Sequence, residues 1–405
     1  MYCLVKNGEV LPCSLPSGAW LEAAPRGAYT TARTVGGGSS VFELSFHIQR
    51  LASSAALMKA DAAAAAGAAD GAPAGTADGA PAGAAGAAGA AAGPSVAAAV
   101  ASDPERLRPR LLPALRAAVQ GYRAATGDAD GELKLTVLVT WPGCDQKQGQ
   151  QRQDAAASNG HSSAGAGTAG VNIFVHASPL PPRPAPPVRV VVRGAPRSNA
   201  AAKDSEWVRQ RKAIEAGLPP DVNEAVLVGA GGALYEGLTS NFFAVVDGTI
   251  YTAGEGVLAG TKGHGGRGRR PCQAASPLPA CLTKDVPPCT AMRGQVREVT
   301  LEVARREGLP VVLEPPRLAD LPRWEGCFIS STSRLLLPVD EASVFPEEAE
   351  GAAQGDNGGD TDGSNGSAGA AAGPATRCFA RRGLVQRLEQ LVLAEVAACS
   401  EPLFD

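Results

Sequence analysis

Aromatic residues are scarce in this chain of 405 residues, which holds 4 Trp, 5 Tyr and 9 Phe. Four stretches have none at all: Lys59 to Asp103, Cys144 to Gly170, Lys262 to Ala291 and Glu348 to Pro374. Tracts so rich in Ala, Gly, Ser and Pro bury too little apolar area to offset their chain entropy, so they are expected to be flexible surface inserts. The core must then come from the remaining residues, about two thirds of the chain. No apolar run is long enough for a bilayer-spanning helix, and the alanine runs of the first insert are broken by Gly, Asp and Pro, so no membrane role is expected. Neither sign of charge dominates: 37 basic and 40 acidic residues leave a net charge of −3, which excludes a polycationic nucleic-acid coat. The 9 cysteines form no Cys-x-x-Cys pair, as suits reduced thiols, and YCLVKNGEVLP after Met1 lacks the blocks of a secretory or transit signal. A cytoplasmic location is expected. Nor is there a nucleophile elbow, a Walker loop or a paired-ligand finger; His264, Cys272, Cys281 and Cys289 lie in the third insert without such spacing, and no metal is expected. The basic run Lys262, Arg267, Arg269 and Arg270 reads as a solvated loop rather than an RNA contact.

The remaining sequence alternates helical and extended patterns. VFEL (Val41 to Leu44) reads as a strand, with Ser45 as N-cap of a helix whose buried stripe is Ile48, Leu51, Ala52 and Ala55. That stripe leaves Arg50 to one side, free to reach a ligand or solvent. A helix is expected over Pro113 to Ala125, then a half-buried strand with Leu133, Leu135, Val137, Val139 and Trp141 on one face. VNIFVHA (Val171 to Ala177) and VRVVVRG (Val188 to Gly194) are expected to continue that sheet, completing an α+β first domain over 1–194. From Asp204 a helix carries Trp207, Val208 and Ile214 to a stop at Gly217. EAVLVG, ALYEG, NFFAVV and TIYT follow as antiparallel hairpins, with Asp247-Gly248 the clearest turn signal. Arg293 to Glu307 is an amphipathic helix stopped by Gly308, LPVVLE and CFIS are strands, and a last helix buries Leu384, Val385, Leu388, Leu391, Val392 and Val396. The second domain is expected over 195–405.

Several polar segments occur in an order that composition does not explain. They are GAYTTARTV (Gly27 to Val35), FHIQRL (Phe46 to Leu51), Lys203 ahead of a helix, YEGLTSNFF (Tyr235 to Phe243), YTAGEGVLAGT (Tyr251 to Thr261) and the STS of Ser331 to Ser333. In this order they resemble the class IV pyridoxal-phosphate-dependent aminotransferases, a group that includes branched-chain and D-amino acid aminotransferases and aminodeoxychorismate lyase. The most specific sign is E-G-x-x-x-N-x-F with a lysine 33 residues before its glutamate. The resemblance implies an α/β (α+β) fold of two domains like D-amino acid aminotransferase, with an N-terminal α+β domain and a C-terminal pseudo-barrel. It also implies pyridoxal 5'-phosphate as cofactor, a homodimer, and a small amino acid and a 2-oxo acid as substrates.

Residue by residue, the resemblance makes Lys203 the covalent anchor of the cofactor's aldehyde and, once freed, the base and acid that move the substrate's α-proton. A surface lysine at a helix start is the plain alternative, and Lys212 is a rival whose register to Glu236 is wrong. Glu236 matches the carboxylate facing the pyridine nitrogen, and Arg50 the arginine that takes the phosphate. Thr261 and Thr332, with nearby backbone N–H groups, match the rest of the phosphate cup. Asn241 matches the motif's asparagine, as a cofactor contact or as a tie between loops. Tyr29, Arg33 and Ser333 match positions near the substrate, and Arg33 suits a substrate carboxylate or a structural ion pair equally. Three functions follow: amino-group transfer as the leading one, α,β-elimination releasing pyruvate as the alternative, and a non-enzymatic, catalytically weakened relative as the third.

The sequence departs from the family's pattern at two places. Val208 stands where branched-chain enzymes place a tyrosine that contacts the cofactor. The third insert separates Thr261 from Met292-Arg293, and joining across it gives VLAGTMRGQVREVTLEVA, an uninterrupted phosphate loop and helix. The insert has the look of translated non-coding sequence. Deleting Lys262 to Ala291 is therefore expected to tighten pyridoxal-phosphate binding in a cofactor titration; equal affinities of the two forms would contradict this.

Overall fold

The computed structural model describes residues 1–69, 96–144, 170–197, 201–254, 294–345, 375–381 and 383–404. The first sheet is built from β1 (Cys3–Lys6), β2 (Glu9–Leu11), β3 (Ala28–Val35), β4 (Ser40–Phe42), β5 (Leu133–Thr140), β6 (Asn172–Pro179) and β17 (Ser400–Pro402). Its order is β17-β4-β3-β5-β6-β1-β2, with every neighbouring pair antiparallel. Helices α1 (Ser17–Ala23), α2 (Leu44–Ala69), α3 (Val96–Ala101) and α4 (Pro104–Thr126) belong to the same half of the chain.

Because side chains alternate across a strand, the two faces of this sheet have different fates. Ala28, Ala32, Leu135, Val137, Val139, Ile173 and Val175 share one core cluster with Ile48, Leu51, Leu107, Leu111 and Leu115 of the helices. The register places Tyr29, Thr31 and Arg33 of β3, Leu138, Thr136 and Lys134 of β5, and Phe174, His176 and Ser178 of β6 on the opposite face. That mixed polar face is where the site lies.

The second sheet holds β7 (Arg189–Val192), β8 (Glu224–Val228), β9 (Leu234–Gly237), β10 (Asn241–Val246), β11 (Thr249–Thr252), β12 (Val311–Val312), β13 (Trp324–Ser331), β14 (Leu335–Val339), β15 (Glu341–Val344) and β16 (Ala375–Cys378). It carries α5 (Glu206–Gln210), α6 (Lys212–Ala216), α7 (Gln295–Arg306) and α8 (Leu384–Ala398). β8 to β11 pair antiparallel in succession, as the hairpin pattern requires. Asp247 and Gly248, at φ +47° and +71°, form the two-residue turn that matches the right-handed strand twist. Three apolar clusters of described residues fill this half, one around Phe242, Trp324 and Ile329, one that packs α7 and α8 on Phe243 and Phe328, and a smaller one around Trp207, Leu227 and Leu238.

Several expectations are corrected here. The strand at Val41 stops at Phe42, and α2 starts at Leu44 after a left-handed Glu43 at φ +53°, so Ser45 is not the N-cap. The capping anion comes instead from the far end of the chain: Glu401 accepts from Ser45 N at 2.5 Å and from Ser45 Oγ at 2.7 Å, a favourable place for a carboxylate. Helix α4 starts nine residues before Pro113, at Pro104, because Asp103 accepts from the Glu105 and Arg106 N–H groups and Pro104 needs no donor. β5 is buried on both faces rather than half-buried. β7 does not continue the first sheet but pairs parallel with β8 and β15, so the second sheet begins before residue 195, and β17 returns the C-terminal end to the first sheet. The helix after Asp204 is two short turns meeting at Arg211.

The first insert is also not surface loop throughout. Residues 59–69 extend α2, and in α3 Ala97, Ala98, Val100 and Ala101 join the main core. Lack of aromatics marks poor burial only where side chains must fill space; alanines suit a place where helices approach closely. Ala101 is fully buried, so Ala101→Leu is expected to overpack this contact and lower stability by about 1–3 kcal/mol in chemical denaturation. A surface-loop reading of residues 59–103 requires no change.

Candidate active site

Lys203 stands where the two halves of the chain meet. Its backbone is clamped from both sides: Tyr29 N donates to Lys203 O at 2.9 Å, Ser205 N to Gly27 O at 3.0 Å, and Lys203 N to Ser54 Oγ of α2 at 3.0 Å. The next residue, Asp204, receives Arg26 through both Nε and Nη2, at 2.9 and 2.5 Å to one oxygen. The stretch 203–205 thus runs against β3, which aims the lysine side chain over the ring of Tyr29, with Nζ 4.9 Å from its centroid. Burial pushes the Lys203 ammonium well below the usual lysine range, the guanidinium groups of Arg50, Arg197 and Arg211 push it further, and Glu236 opposes them. A neutral amine is a nucleophile and a proton acceptor, which an ordinary surface lysine is not.

One cavity of about 310 Å³ opens on this amine. Lys203, Arg50, Glu236, Asn241, Tyr29, Thr332 and Ser333 all line it; Arg33 does not, and Thr261 lies outside the described residues. Arg50 is not left free at the side of α2 as expected. Its Nη2 donates to Thr30 Oγ1 at 2.5 Å and to His47 Nδ1 at 3.1 Å. Since a guanidinium only donates, Nδ1 accepts, and Thr30 Oγ1 in turn donates to it at 2.8 Å. His47 is held neutral, first by burial and then by the charges of Arg50 and Lys203. Burial lowers Arg50 itself to about 10, and it has no carboxylate partner among the described residues. A desolvated cation held by neutral groups alone is a receptor for an anion.

The N-terminus of α7 reaches the same cavity through Gly294, Gln295 and Val296. No side chain among the described residues caps it, and its first N–H groups add to the cationic character there. Gln295 is fixed by donating through Nε2 to Phe42 O at 2.8 Å and by accepting from Thr332 Oγ1 at 3.1 Å. Gly294 lies so close to Asn241 Oδ1 that any Cβ would collide with it, so β10 and the start of α7 approach closely there. Across the cavity, Glu236 is gripped by Arg197, with Nε to Oε1 at 2.7 Å and Nη2 to Oε2 at 3.3 Å. Arg197 also lies over the ring of Trp207, 5.4 Å from its centroid.

Arg197, Arg211, Trp207, Gln295, Thr30 and Lys134 were not singled out as site residues by sequence reasoning. Arg197 sits in an irregular segment with no periodic pattern, and only its spacing ahead of Lys203 could have drawn notice. Gln295 was findable as the first residue of an amphipathic helix after glycine. Val208 is buried beside Trp207 and lines the cavity, so no phenol takes that place.

Residues 145–262 match the family model of amino-transferase class IV. No curated protein matches the chain by sequence. Among solved structures, the chain is similar to a branched-chain aminotransferase from the thermophilic archaeon Thermoproteus uzoniensis, solved with norvaline, at 14% identity and TM-score 0.53, covering 99% of each chain. It is also similar to a hypothetical aminotransferase from Mycobacterium tuberculosis in its PLP-bound form, at 16% identity and TM-score 0.52, over 98% of this chain and 99% of that one. The same Mycobacterium tuberculosis protein in its alpha-ketoglutarate and PMP bound form gives the same 16% identity and TM-score 0.52, over 98% and 99%. At these identities the likeness is one of fold: two sheets, the second a half-barrel.

The lowered proton affinity of Lys203 carries a stability cost. The folded residue binds its proton less tightly than the unfolded one, so the penalty is full below the folded value and is gone once pH passes the ordinary value of about 10.4. Lys203→Met is expected to raise the melting temperature of the cofactor-free protein at pH 7, with the gap closing above about pH 10.5. A gap that does not change with pH would contradict the assignment.

Proposed function

We propose that the chain, which matches the model of amino-transferase class IV over residues 145–262, is a pyridoxal-phosphate-dependent transaminase moving an amino group between a small amino acid and a 2-oxo acid. The observation that carries this reading is the buried Lys203 amine, its proton affinity lowered, in a cavity with Arg50, which has no carboxylate partner among the described residues, at one end and a held carboxylate, Glu236, at the other. The donor set fits the three parts of the cofactor. Arg50, the N–H groups at the start of α7 and Thr332 would hold its phosphate. Glu236 has acceptor positions beyond the two Arg197 uses and would hold the ring nitrogen. Lys203 would meet its aldehyde. When bound, pyridoxal phosphate supplies an aldehyde that captures amines and a ring that draws electrons from the captured carbon.

The residues of this chain do the rest. Lys203 Nζ, neutral and backed by the clamp on β3, accepts a proton from the substrate's α-carbon and can return it. Glu236, oriented and tempered by the Arg197 ion pair, would supply the negative charge that favours a proton on the ring nitrogen. Arg50, His47 and Thr30 form a fixed donor chain at the anion end, so the phosphate meets groups that do not reorganise. Tyr29 covers one side of the amine, and Trp207, Val208 and Leu238 exclude water from another.

Incubation with pyridoxal phosphate, borohydride reduction and peptide mapping test the reading. Label is expected on Lys203 in the native chain and absent in Lys203→Ala. Glu236→Gln is expected to keep the label and slow amino transfer by about 10²-fold or more. Label elsewhere in the chain would overturn the assignment. Pyruvate released from aminodeoxychorismate with no 2-oxo acid present would move the reaction to elimination.

A further inference from the structure

The Arg50 end of the cavity is braced by a stretch of chain that does not itself line it. β17 pairs antiparallel with β4, placing Ser400, Glu401 and Pro402 opposite Phe42, Val41 and Ser40. Three further bonds fix this edge: Leu403 N donates to Ser39 O at 2.9 Å, Glu43 N to Cys399 O at 2.9 Å, and Arg116 Nε of α4 to Leu403 O at 2.5 Å. Leu403 is fully buried in the main core. The pairing delivers the Glu401 carboxylate to the start of α2, where it accepts from Ser45 N and Ser45 Oγ. Arg108 of α4 closes the arrangement, donating through Nη1 to Ser45 Oγ at 3.0 Å and through Nη2 to Glu401 Oε2 at 3.4 Å. The first N–H groups of a helix have no acceptor within it, and Glu401 supplies one together with a negative charge that the helix dipole favours there.

What α2 carries connects this brace to the site. His47, Arg50 and Ser54 recur at helical spacing and share one stripe of the helix. His47 belongs to the first turn, where its N–H donates to Glu43 O at 3.1 Å, and its Nδ1, with Thr30, holds Arg50. Ser54 lies two turns further in and holds Lys203 N. The same edge supports the opposite wall: Phe42 O, on the residue facing Ser400, accepts from Gln295 Nε2, and Gln295 Oε1 accepts from Thr332 Oγ1. Helices fray from their ends. Loss of the cap therefore loosens residues 44–47 and the seat of Arg50, while Ser54 and the Lys203 clamp stay in place. We propose that Glu401 is a positioning residue for the anion end of the cavity: by capping α2 it seats Arg50 through His47, and so sets how tightly the cofactor's phosphate is held. For what fills the cavity this rests on the transaminase reading.

Titration of the cofactor-free full chain with pyridoxal 5'-phosphate and with pyridoxal, which lacks the phosphate, separates the two ends of the cavity. Both probes can react at Lys203, and only the first engages Arg50. Glu401→Ala is expected to weaken pyridoxal phosphate by about fivefold, the size of a lost helix cap, and to leave pyridoxal within about twofold. Glu401→Gln, which keeps an acceptor and loses the charge, is expected to fall between. Ser45→Ala removes one arm of the same cap from the helix side and is expected to shift the ratio of the two affinities in the same direction, so the test stands even where Glu401→Ala does not fold. Val246→Ala, which thins the core at the far end of β10, is expected to lower the melting temperature and leave that ratio unchanged. Equal losses for the two probes, a ratio unchanged in the cap variants, or a ratio that shifts equally in Val246→Ala would each overturn the proposal. Borohydride labelling in the same preparations separates the two claims. Label on Lys203 with an unchanged ratio sinks this proposal alone, and a shifted ratio with label elsewhere sinks the transaminase reading alone.

Discussion

A buried lysine amine that holds its proton weakly, at the junction of two sheets, is the constraint on which the rest of this structure depends. Water would stabilise the ammonium, and the fold removes water and surrounds the nitrogen with three guanidinium groups instead. Such an arrangement survives only if the backbone leaves the side chain no other direction. The clamp of 203–205 between β3 and α2, with the Arg26 to Asp204 ion pair behind it, supplies that restraint.

The halves of the chain contribute differently. The first sheet gives one face to a helix-covered core, and its other face, polar and partly unsatisfied, serves the site. The second half supplies Glu236 at the end of β9, Asn241 at the start of β10 and the uncapped N-terminus of α7. Positive potential thus builds from unlike sources: buried arginines and a helix terminus. Glu236 is the carboxylate set among them, held by Arg197, so the cavity carries an excess of cationic groups that anionic ligands complete.

Much of this was legible in the residues. The hairpin series and the Asp247-Gly248 turn followed from alternation and turn chemistry, and the order of short polar segments marked Lys203, Glu236 and Arg50 before any fold was known. What failed did so for physical reasons. Ser45 looked like a cap because the true one, Glu401, arrives from the other end of the chain. VRVVVRG read as part of the first sheet since periodicity does not say which sheet a strand joins, and residues 96–101 looked like insert because alanine packing leaves no aromatic signature. Arg197 and Lys134 were invisible for a similar reason: an ion pair and an unpaired charge are defined by neighbours distant in sequence.

The central claim is the protonation state of Lys203, and trace acetylation with acetic anhydride across a pH series, read by peptide mapping, measures it most directly. The account predicts that Lys203 in the cofactor-free protein acquires reactivity with a midpoint well below the ordinary lysine value of about 10.4. A midpoint at that ordinary value would contradict it.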